Sequence, residues 1–196
     1  MTEKVVLDRE DIRRALRRIA HEIVEGTSGE SLAIVGIHRR GAVLARRLAS
    51  EVEDITGDAT PLGDIDIAFY RDDVGTRPAA PVVHSSSIDF PVDGRTVVLV
   101  DDVLFTGRTV RAAIDSLFDY GRPDRIQLAV LADRGHRELP IRPDYVGKNL
   151  PTARDERVNV RVDEIDGDED VAITPGTGSP GPDGGALSVP VTGGGR

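Results

Sequence analysis

The amino-acid sequence predicts an α/β protein built on a central, mainly parallel sheet flanked by helices. Three observations carry that prediction. The runs LAIVGI (32–37), TVVLV (96–100) and IQLAVLA (126–132) are apolar at nearly every position, as strands buried on both faces are. Segments with helical spacing of apolar residues lie between them, and alternation of strand with helix is the signature of a parallel sheet covered on both sides. The 196 residues suffice for one domain with a substantial core. In such sheets ligands bind beyond the carboxyl ends of the strands. The chemistry is therefore expected in HRRG (38–41), in the loop after Tyr70, in DDVLFTGRT (101–109) and in the loop after Ala132.

Each element follows from local signals. Asp8 can cap a first helix over 9–25, in which Ile12, Leu16, Ile19 and Ile23 share one face. Arg14, Arg17, Arg18 and His21 cluster on the opposite face, and Gly26 stops the helix. After the strand at 32–37, HRRG reads as a turn and 42–55 as a second amphipathic helix. IDIAFY (65–70) reads as a strand, and residues 71–91, polar and broken by Pro78, Pro81 and three serines, as a long mobile loop. A helix is expected over 109–120 and a strand over 126–132. Residues 133–156 are rich in Pro and charge and read as irregular, and VNVRVDEI (158–165) is a last strand by alternation. The tail from 175 to 196 holds eight Gly and four Pro and cannot bury enough apolar surface to fold, so the organisation expected is one domain over 1–174 and a disordered tail over 175–196.

Composition narrows the function classes. With no cysteine there is no disulfide framework and no thiolate metal site. No run approaches the ~18 apolar residues of a membrane span, and the charged start MTEKVVLDRE lacks the core of a signal peptide. A cytoplasmic protein without a membrane partner is expected. The net charge of −9 argues against nucleic acid at first sight. Its distribution softens the objection: residues 163–174 carry six acids and no base, while residues 1–162 are only −3 and hold 24 of the 25 basic side chains. The acidic run reads as a solvated edge, lying away from any RNA face.

The stretch VVLVDDVLFTGRT (97–109) runs a buried strand into Asp101 and Asp102 and then into a small-residue turn before a helix. Free backbone N–H groups and the positive dipole end at that helix start suit a phosphate. Gly107 lets the backbone approach, and Thr106 and Thr109 add hydroxyl donors. Two carboxylates would repel the phosphate itself, but one sugar away they can accept hydrogen bonds from vicinal ribose hydroxyls and favour a divalent cation. The stretch thus describes a ribose 5-phosphate held by one strand–turn–helix. Neither a Walker A loop nor a GxGxxG fingerprint is present. A phospho-receiver domain, which also ends a strand on acids, needs its acidic pair near the N-terminus and is set aside.

VVLVDDVLFTGRT resembles the phosphoribosyl-pyrophosphate (PRPP) motif of type I phosphoribosyltransferases. More narrowly, IRRALRRIAHEI, GIHRRGAVLARRLA, IDIAFYRDDV and above all GRPDRIQLAVLADRGHRELPIRPDYVGKNLPT resemble the PyrR family over about Val5 to Ile173. That resemblance implies a type I phosphoribosyltransferase fold with a small hood and a flexible flap loop after Tyr70. It implies two activities: uracil phosphoribosyltransfer (uracil and PRPP to UMP and diphosphate) and UMP- or UTP-dependent binding to the mRNA leader of pyrimidine operons. A transferase without RNA regulation, or an RNA-binding UMP sensor with a relic active site, remain open beside it. Mg²⁺ bound with PRPP, no organic cofactor, and a homodimer or higher homo-oligomer are further implications.

The resemblance also implies roles. Asp101 and Asp102 hold the ribose diol and lie, indirectly, on the Mg²⁺ side, while Val103, Leu104, Phe105, Thr106, Gly107, Arg108 and Thr109 cradle the 5-phosphate. Arg39 and Arg40 form the pyrophosphate loop, where guanidinium suits phosphate oxygens and a non-proline cis peptide is frequent. Arg134 contacts the nucleotide, and the backbone at Val158 can hydrogen-bond the base. Purine enzymes carry Asp where this chain has Phe105, and an apolar ring cannot hydrogen-bond a purine nitrogen, which argues for a pyrimidine. No residue stands out as a general base, so catalysis is expected to come from positioning, Mg²⁺ and charge stabilisation. Arg18, His21, His136, Arg137, Arg142 and Lys148 match positions that the family uses on RNA, whereas Arg17 departs from a frequent Thr.

Overall fold

The computed structural model describes residues 3–28, 30–67 and 86–176. Five strands form a parallel sheet in the order β3-β2-β4-β5-β6: β2 (Leu32–Ile37), β3 (Leu62–Ile65), β4 (Thr96–Leu104), β5 (Arg125–Asp133) and β6 (Tyr145–Asn149). Successive residues of β4 face opposite cores. Val98 and Val100 join the core beneath α1 (Arg9–Gly26) and α2 (Arg40–Thr56), while Val97 and Leu99 join the core beneath α3 (Arg108–Leu117). This two-sided burial is why the strand reads as an unbroken apolar run. A second, antiparallel sheet, β1-β8-β7, joins β1 (Lys4–Asp8), β8 (Asp170–Thr174) and β7 (Arg157–Arg161) and forms the small hood. Among the described residues no helix is long and apolar enough to cross a membrane.

The first helix forms as its cap signal dictates. The Asp8 carboxylate accepts from the Asp11 N–H at 2.8 Å and the Asp11 carboxylate accepts from the Asp8 N–H at 3.2 Å, a reciprocal capping box. Ile12, Leu16, Ile19 and Ile23 are all buried, as their spacing requires. Helix α2 begins at Arg40, two residues earlier than expected, so the turn after β2 shrinks to His38 and Arg39.

Elsewhere the elements depart from the sequence expectations in informative ways. The strand expected over 65–70 is seen at Leu62–Ile65, because pairing with β2 fixes the register Ile34↔Leu62 to Ile37↔Ile65. Ile67 is buried without being in a strand, and 68–70 lie outside the described residues. So do positions 71–85 of the expected flap and 177–196 of the expected tail. Strand β4 runs four residues past Val100, carried by β5, which pairs with it through Leu104↔Asp133. Helix α3 ends at Leu117, short of 120. The segment 133–156, expected to be irregular, contains the five-residue strand β6. The expected strand 158–165 ends at Arg161, and Asp163–Asp166 instead form a short helix, α4. Strands β1 and β8 carried too short a pattern to be read, five residues each, and exist because they pair with each other.

Candidate active site

The chain leaves β2 towards β3 on one side and returns to β4 on the other, so the order of the sheet reverses between β2 and β4. Crevices open at such points beyond the carboxyl ends of the strands. Here β2 pairs with β4 only up to Gly36↔Val100, while β5 continues beside β4 to Leu104. Past Val100 one edge of β4 is therefore open, and Asp101 and Asp102 stand at that opening.

Two glycines bring the next loop onto this edge. A side chain at Gly36 would run into the Cα of Ala42 and come within 2.7 Å of the Gly41 carbonyl oxygen; one at Gly41 would run into the Val100 carbonyl oxygen and stand 3.2 Å from the Asp101 Cα. The first turn of α2 thus lies directly on the backbone of β2 and β4 and brings Arg40 within electrostatic reach of Asp102. The His38–Arg39 peptide is cis. Arg39 is exposed at the N-cap of α2. Arg40 gives its fork to Asp166 of α4, with Nε at 3.0 Å and Nη2 at 2.7 Å from the carboxylate. This pairing raises the Arg40 pKa, and the guanidinium in turn attracts Asp102.

Asp101 is buried and Asp102 half-buried. The Asp101 carboxylate accepts from the Asp102 N–H and the Asp102 carboxylate from the Val103 N–H, both at 2.9 Å. Burial pushes the Asp102 carboxyl above its usual range, opposed by its hydrogen bond with Asp101 and by Arg40. Two desolvated carboxylates side by side favour hydroxyl donors or a cation. Among the described residues no group of three or more His, Cys, Asp or Glu could hold a metal.

The turn Phe105–Gly107 follows. Gly107 is the N-cap of α3 at φ +94°, a conformation glycine adopts without strain, and the Thr106 hydroxyl accepts from the Arg108 N–H at 3.3 Å. The Thr106 carbonyl accepts from the N–H groups of Glu138 (3.0 Å) and Leu139 (3.1 Å), and Gly107 abuts Ile141 and Leu139. The segment after β5 thus braces the Phe105–Gly107 turn. The Glu138 carboxylate adds ion pairs to Arg108 at 3.0 Å and Arg154 at 2.9 Å.

Arg134 is 7% exposed and its guanidinium lies 4.1 Å from the Phe105 ring centroid. Its polar atoms reach Thr152 Oγ1 (3.2 Å) and the carbonyls of Ala153 (3.0 Å) and Arg154 (3.4 Å), so it is hydrogen-bonded without a carboxylate fork, and burial lowers its pKa. The His136 ring meets Phe105 edge-on at 5.9 Å. Phe105, Arg134 and His136 form one cluster at this turn, with Arg134 over the Phe105 ring and His136 at its edge. Val158 lies in β7, paired with Ile173, in the hood strand that meets β4.

The six residues matched to RNA contacts divide. Arg18, His21, Arg142 and Lys148 are exposed. Arg18 bonds the carbonyls of Val146 (2.9 Å) and Gly147 (2.8 Å) on the edge strand β6 and pairs with Glu22, and Lys148 Nζ donates to the Val6 carbonyl at 3.2 Å. His136 and Arg137 turn inward instead. Gly135 (φ +77°) and His136 (φ +60°) are successive left-handed residues that reverse the chain, so Arg137 points back at the Phe105 carbonyl and His136 Nε2 lies 2.6 Å from the Thr152 carbonyl.

Sequence reasoning left several neighbours of the site unnamed. His38 Nε2 lies 2.6 Å from Asp64 Oδ1, tying the loop after β2 to the end of β3, and Asp64 exchanges two backbone hydrogen bonds with Ser87. The acidic run 163–170, expected to be a solvated edge, is ion-paired: Glu164 and Glu169 with Arg47, Asp163 and Glu169 with Arg9, Asp166 with Arg40 and Asp170 with Arg161.

An acidic pair at a switch point, a glycine-capped turn into a helix and an antiparallel hood are the parts of a phosphoribosyltransferase. Residues 4–164 match the phosphoribosyl transferase domain, and the fold matches the hypoxanthine phosphoribosyltransferase of Trypanosoma cruzi (TM-score 0.66, 19% identity, 88% of this chain and 97% of that one). A hypoxanthine-guanine phosphoribosyltransferase of Bacillus anthracis gives a TM-score of 0.65 at 18% identity, over 86% and 96% of the two chains. Likeness at that identity concerns the fold. Closer in sequence are proteins named "Bifunctional protein PyrR" from Roseiflexus sp. (62% identical, 87% of this chain and 93% of the relative), Pelotomaculum thermopropionicum (59%, 86% and 93%) and Deinococcus radiodurans (56%, 86% and 92%). The chain belongs to the PyrR family.

Proposed function

We propose that this chain is a cytoplasmic uracil phosphoribosyltransferase that also binds the mRNA leader of pyrimidine operons under control of UMP or UTP. The observation that carries the transferase half is the convergence, at one switch point, of Asp101–Asp102, the phosphate loop and the Phe105–Arg134 stack. In the reaction uracil N1 attacks C1′ of PRPP, the C1′–oxygen bond to diphosphate breaks, and the N1 proton is lost as UMP forms. Asp101 and Asp102 accept hydrogen bonds from the ribose 2′- and 3′-hydroxyls. The loop N–H groups with Thr106 and Thr109 hold the 5-phosphate, and Arg39, exposed at the crevice, meets the diphosphate. The Phe105–Arg134 cluster presents the apolar face and cation against which a pyrimidine packs. Val158 supplies backbone hydrogen bonds from the hood. Asp101 and Asp102 would lie on the side of a Mg²⁺ bound with PRPP, which would supply charge neutralisation for the departing diphosphate. A site with two adjacent carboxylates suits an ion that brings its remaining ligands from phosphate and water. Self-association as a dimer or larger homo-oligomer is part of the same proposal, and sedimentation measures it directly.

The RNA half rests on the exposed basic residues Arg18, His21, Arg142 and Lys148 of α1, β6 and the loop between β5 and β6, which offer a surface for phosphates. The inward turn of His136 and Arg137 favours a second reading, a transferase without RNA regulation. One experiment separates the two. Leader RNA binding is measured at fixed salt with and without UMP, beside diphosphate release from uracil and PRPP. Tight, UMP-strengthened binding supports the bifunctional reading, binding no better than to unrelated RNA leaves the transferase alone, and no diphosphate release removes the enzymatic half.

A further inference from the structure

Arg137 uses its whole guanidinium inside the protein. Nε donates to the Ile141 carbonyl at 3.0 Å, and Nη1 lies at 2.9, 3.2 and 3.4 Å from the carbonyls of Phe105, Gly135 and Leu104. Nη2 donates to Asp133 Oδ2 at 2.5 Å. The side chain is 22% exposed and its carboxylate partner 15%. Only a planar fork with five donors bridges this many acceptors at once. The carbonyls it gathers belong to two different structures. Leu104 and Phe105 are the end of β4 and the start of the phosphate turn; Gly135 and Ile141 bound the loop that leads to exposed Arg142 and then to β6 with Lys148.

We propose that Arg137 is a positioning residue that locks the phosphate loop to the basic loop, and that its effect on RNA is indirect. This rests on the function proposed above and goes beyond it in naming the physical link between its two halves. The same segment holds the phosphate turn a second time, through the Glu138 and Leu139 N–H groups on the Thr106 carbonyl. A ligand phosphate that settles Phe105–Thr109 therefore also settles 135–141, and through it the approach to Arg142 and Lys148. Two loops that share one set of hydrogen bonds bias each other's geometry, and linkage makes that bias reciprocal between nucleotide and RNA.

The test uses the full-length protein and two variants, Arg137→Gln and Arg137→Lys. Steady-state kinetics with uracil and PRPP give KM and kcat, and leader RNA affinity is measured with UMP over a range of salt concentrations. A loosened phosphate loop weakens ground and transition states alike, so the KM for PRPP rises about tenfold or more in both variants while kcat changes little. RNA affinity falls without a change in its salt slope, because no phosphate contact has been removed. Lysine keeps the charge but cannot bridge both sets of carbonyls, so it rescues neither quantity. The proposal is overturned if the PRPP KM stays at its wild-type value, or if Arg137→Gln lowers the salt slope by about 0.7–0.9 and Arg137→Lys restores it, as a direct phosphate contact requires. A wild-type protein that releases no diphosphate, or does not distinguish the leader, refutes the corresponding half of the proposed function. Binding of PRPP alone, followed by calorimetry, then tests the brace by itself.

Discussion

Gly41→Ala isolates the close approach that assembles the site. An added Cβ would overlap the Val100 carbonyl oxygen and stand 3.2 Å from the Asp101 Cα and 3.3 Å from the Val100 carbonyl carbon. Ordinary carbon–carbon contacts lie near ~3.5–4.0 Å. All three atoms are backbone of a central strand, so the helix start must move rather than the obstacle. The shift required is several tenths of an ångström to about 1 Å, directed away from Asp101. Overpacking of this kind costs about 1–3 kcal/mol, and the better helix propensity of alanine returns up to ~1 kcal/mol. The net loss of about 1–2 kcal/mol lowers Tm by roughly 3–6 °C for a domain of this size. The functional effect is larger, because Arg39 and Arg40 ride on the displaced turn and a misplacement near 1 Å costs about 100-fold in rate. Calorimetric Tm and kcat/KM for PRPP read the two effects separately. A variant as stable as wild type, or more so, with PRPP kinetics within twofold would refute the argument that this contact sets the site.

Three further outcomes follow from the same geometry. Asp8→Ala removes one half of the α1 capping box and leaves the Asp11 N–H without its acceptor, costing about 1 kcal/mol and about 2–4 °C in Tm, with no change in PRPP affinity. Phe105→Ala removes the face against which Arg134 stacks and raises the KM for uracil more than that for PRPP, which initial rates at varied uracil resolve. The clamp between α2 and the hood is acid-sensitive: hydrogen bonds from Arg47 and Arg40 hold Glu164 and Asp166 below their ordinary pKa values of 4.5 and 3.8. A depressed folded-state pKa stabilises the fold above the unfolded carboxylate range, and that contribution is lost as pH falls through the folded values. Tm measured from neutral pH down to about 3 falls more steeply in wild type than in Glu164→Gln/Asp166→Asn.

The parts of this fold that were legible in the sequence are those in which one strand or helix carries its own reason. VVLV at 97–100 is buried on both sides and reads as such; Ile12, Leu16, Ile19 and Ile23 repeat on one face and are all buried. What was not legible depends on a partner. Strands β1 and β8 are stabilised by pairing across the whole chain length, Lys4 with Ile173, and neither has a periodic pattern long enough to announce itself. Strand β6 hides among prolines and charges, and Gly147, whose Cβ would run into the Leu131 carbonyl oxygen, lets it lie against β5. The site divides in the same way. Asp101, Asp102 and Gly107 are contiguous and could be assigned chemistry from their order alone. The ionic partner of Arg40 is 126 residues away, and the inward turn of Arg137 follows from left-handed backbone at Gly135 and His136, a conformation that His rarely adopts and the sequence does not specify.

The acidic balance of the chain also changes meaning once its charges have places. Read as a sum, −9 opposes an anionic partner. In the structure the acids of 163–170 are matched against Arg9, Arg40, Arg47 and Arg161, on the side where the hood meets the starts of α1 and α2. Arg9 and Arg13 line a crevice there with Arg47, Ser50 and Glu51. Arg18 reaches the opposite way, to β6, where Lys148 also lies. Pairs held at 2.5–3.2 Å present little net field to a polyanion, and at physiological salt charges farther off than ~8 Å are screened. The attraction that RNA feels is therefore set by the exposed basic residues Arg142, Lys148 and His21, with Arg18 partly offset by Glu22 at 2.6 Å, and not by the net charge. Neutralising the clamp acids should leave the salt slope of RNA binding at its wild-type value even though it alters the net charge, whereas removing Lys148 should lower that slope by about one phosphate contact. A slope that instead tracked net charge across both sets of variants would show that the long-range field, and not the local basic face, governs binding.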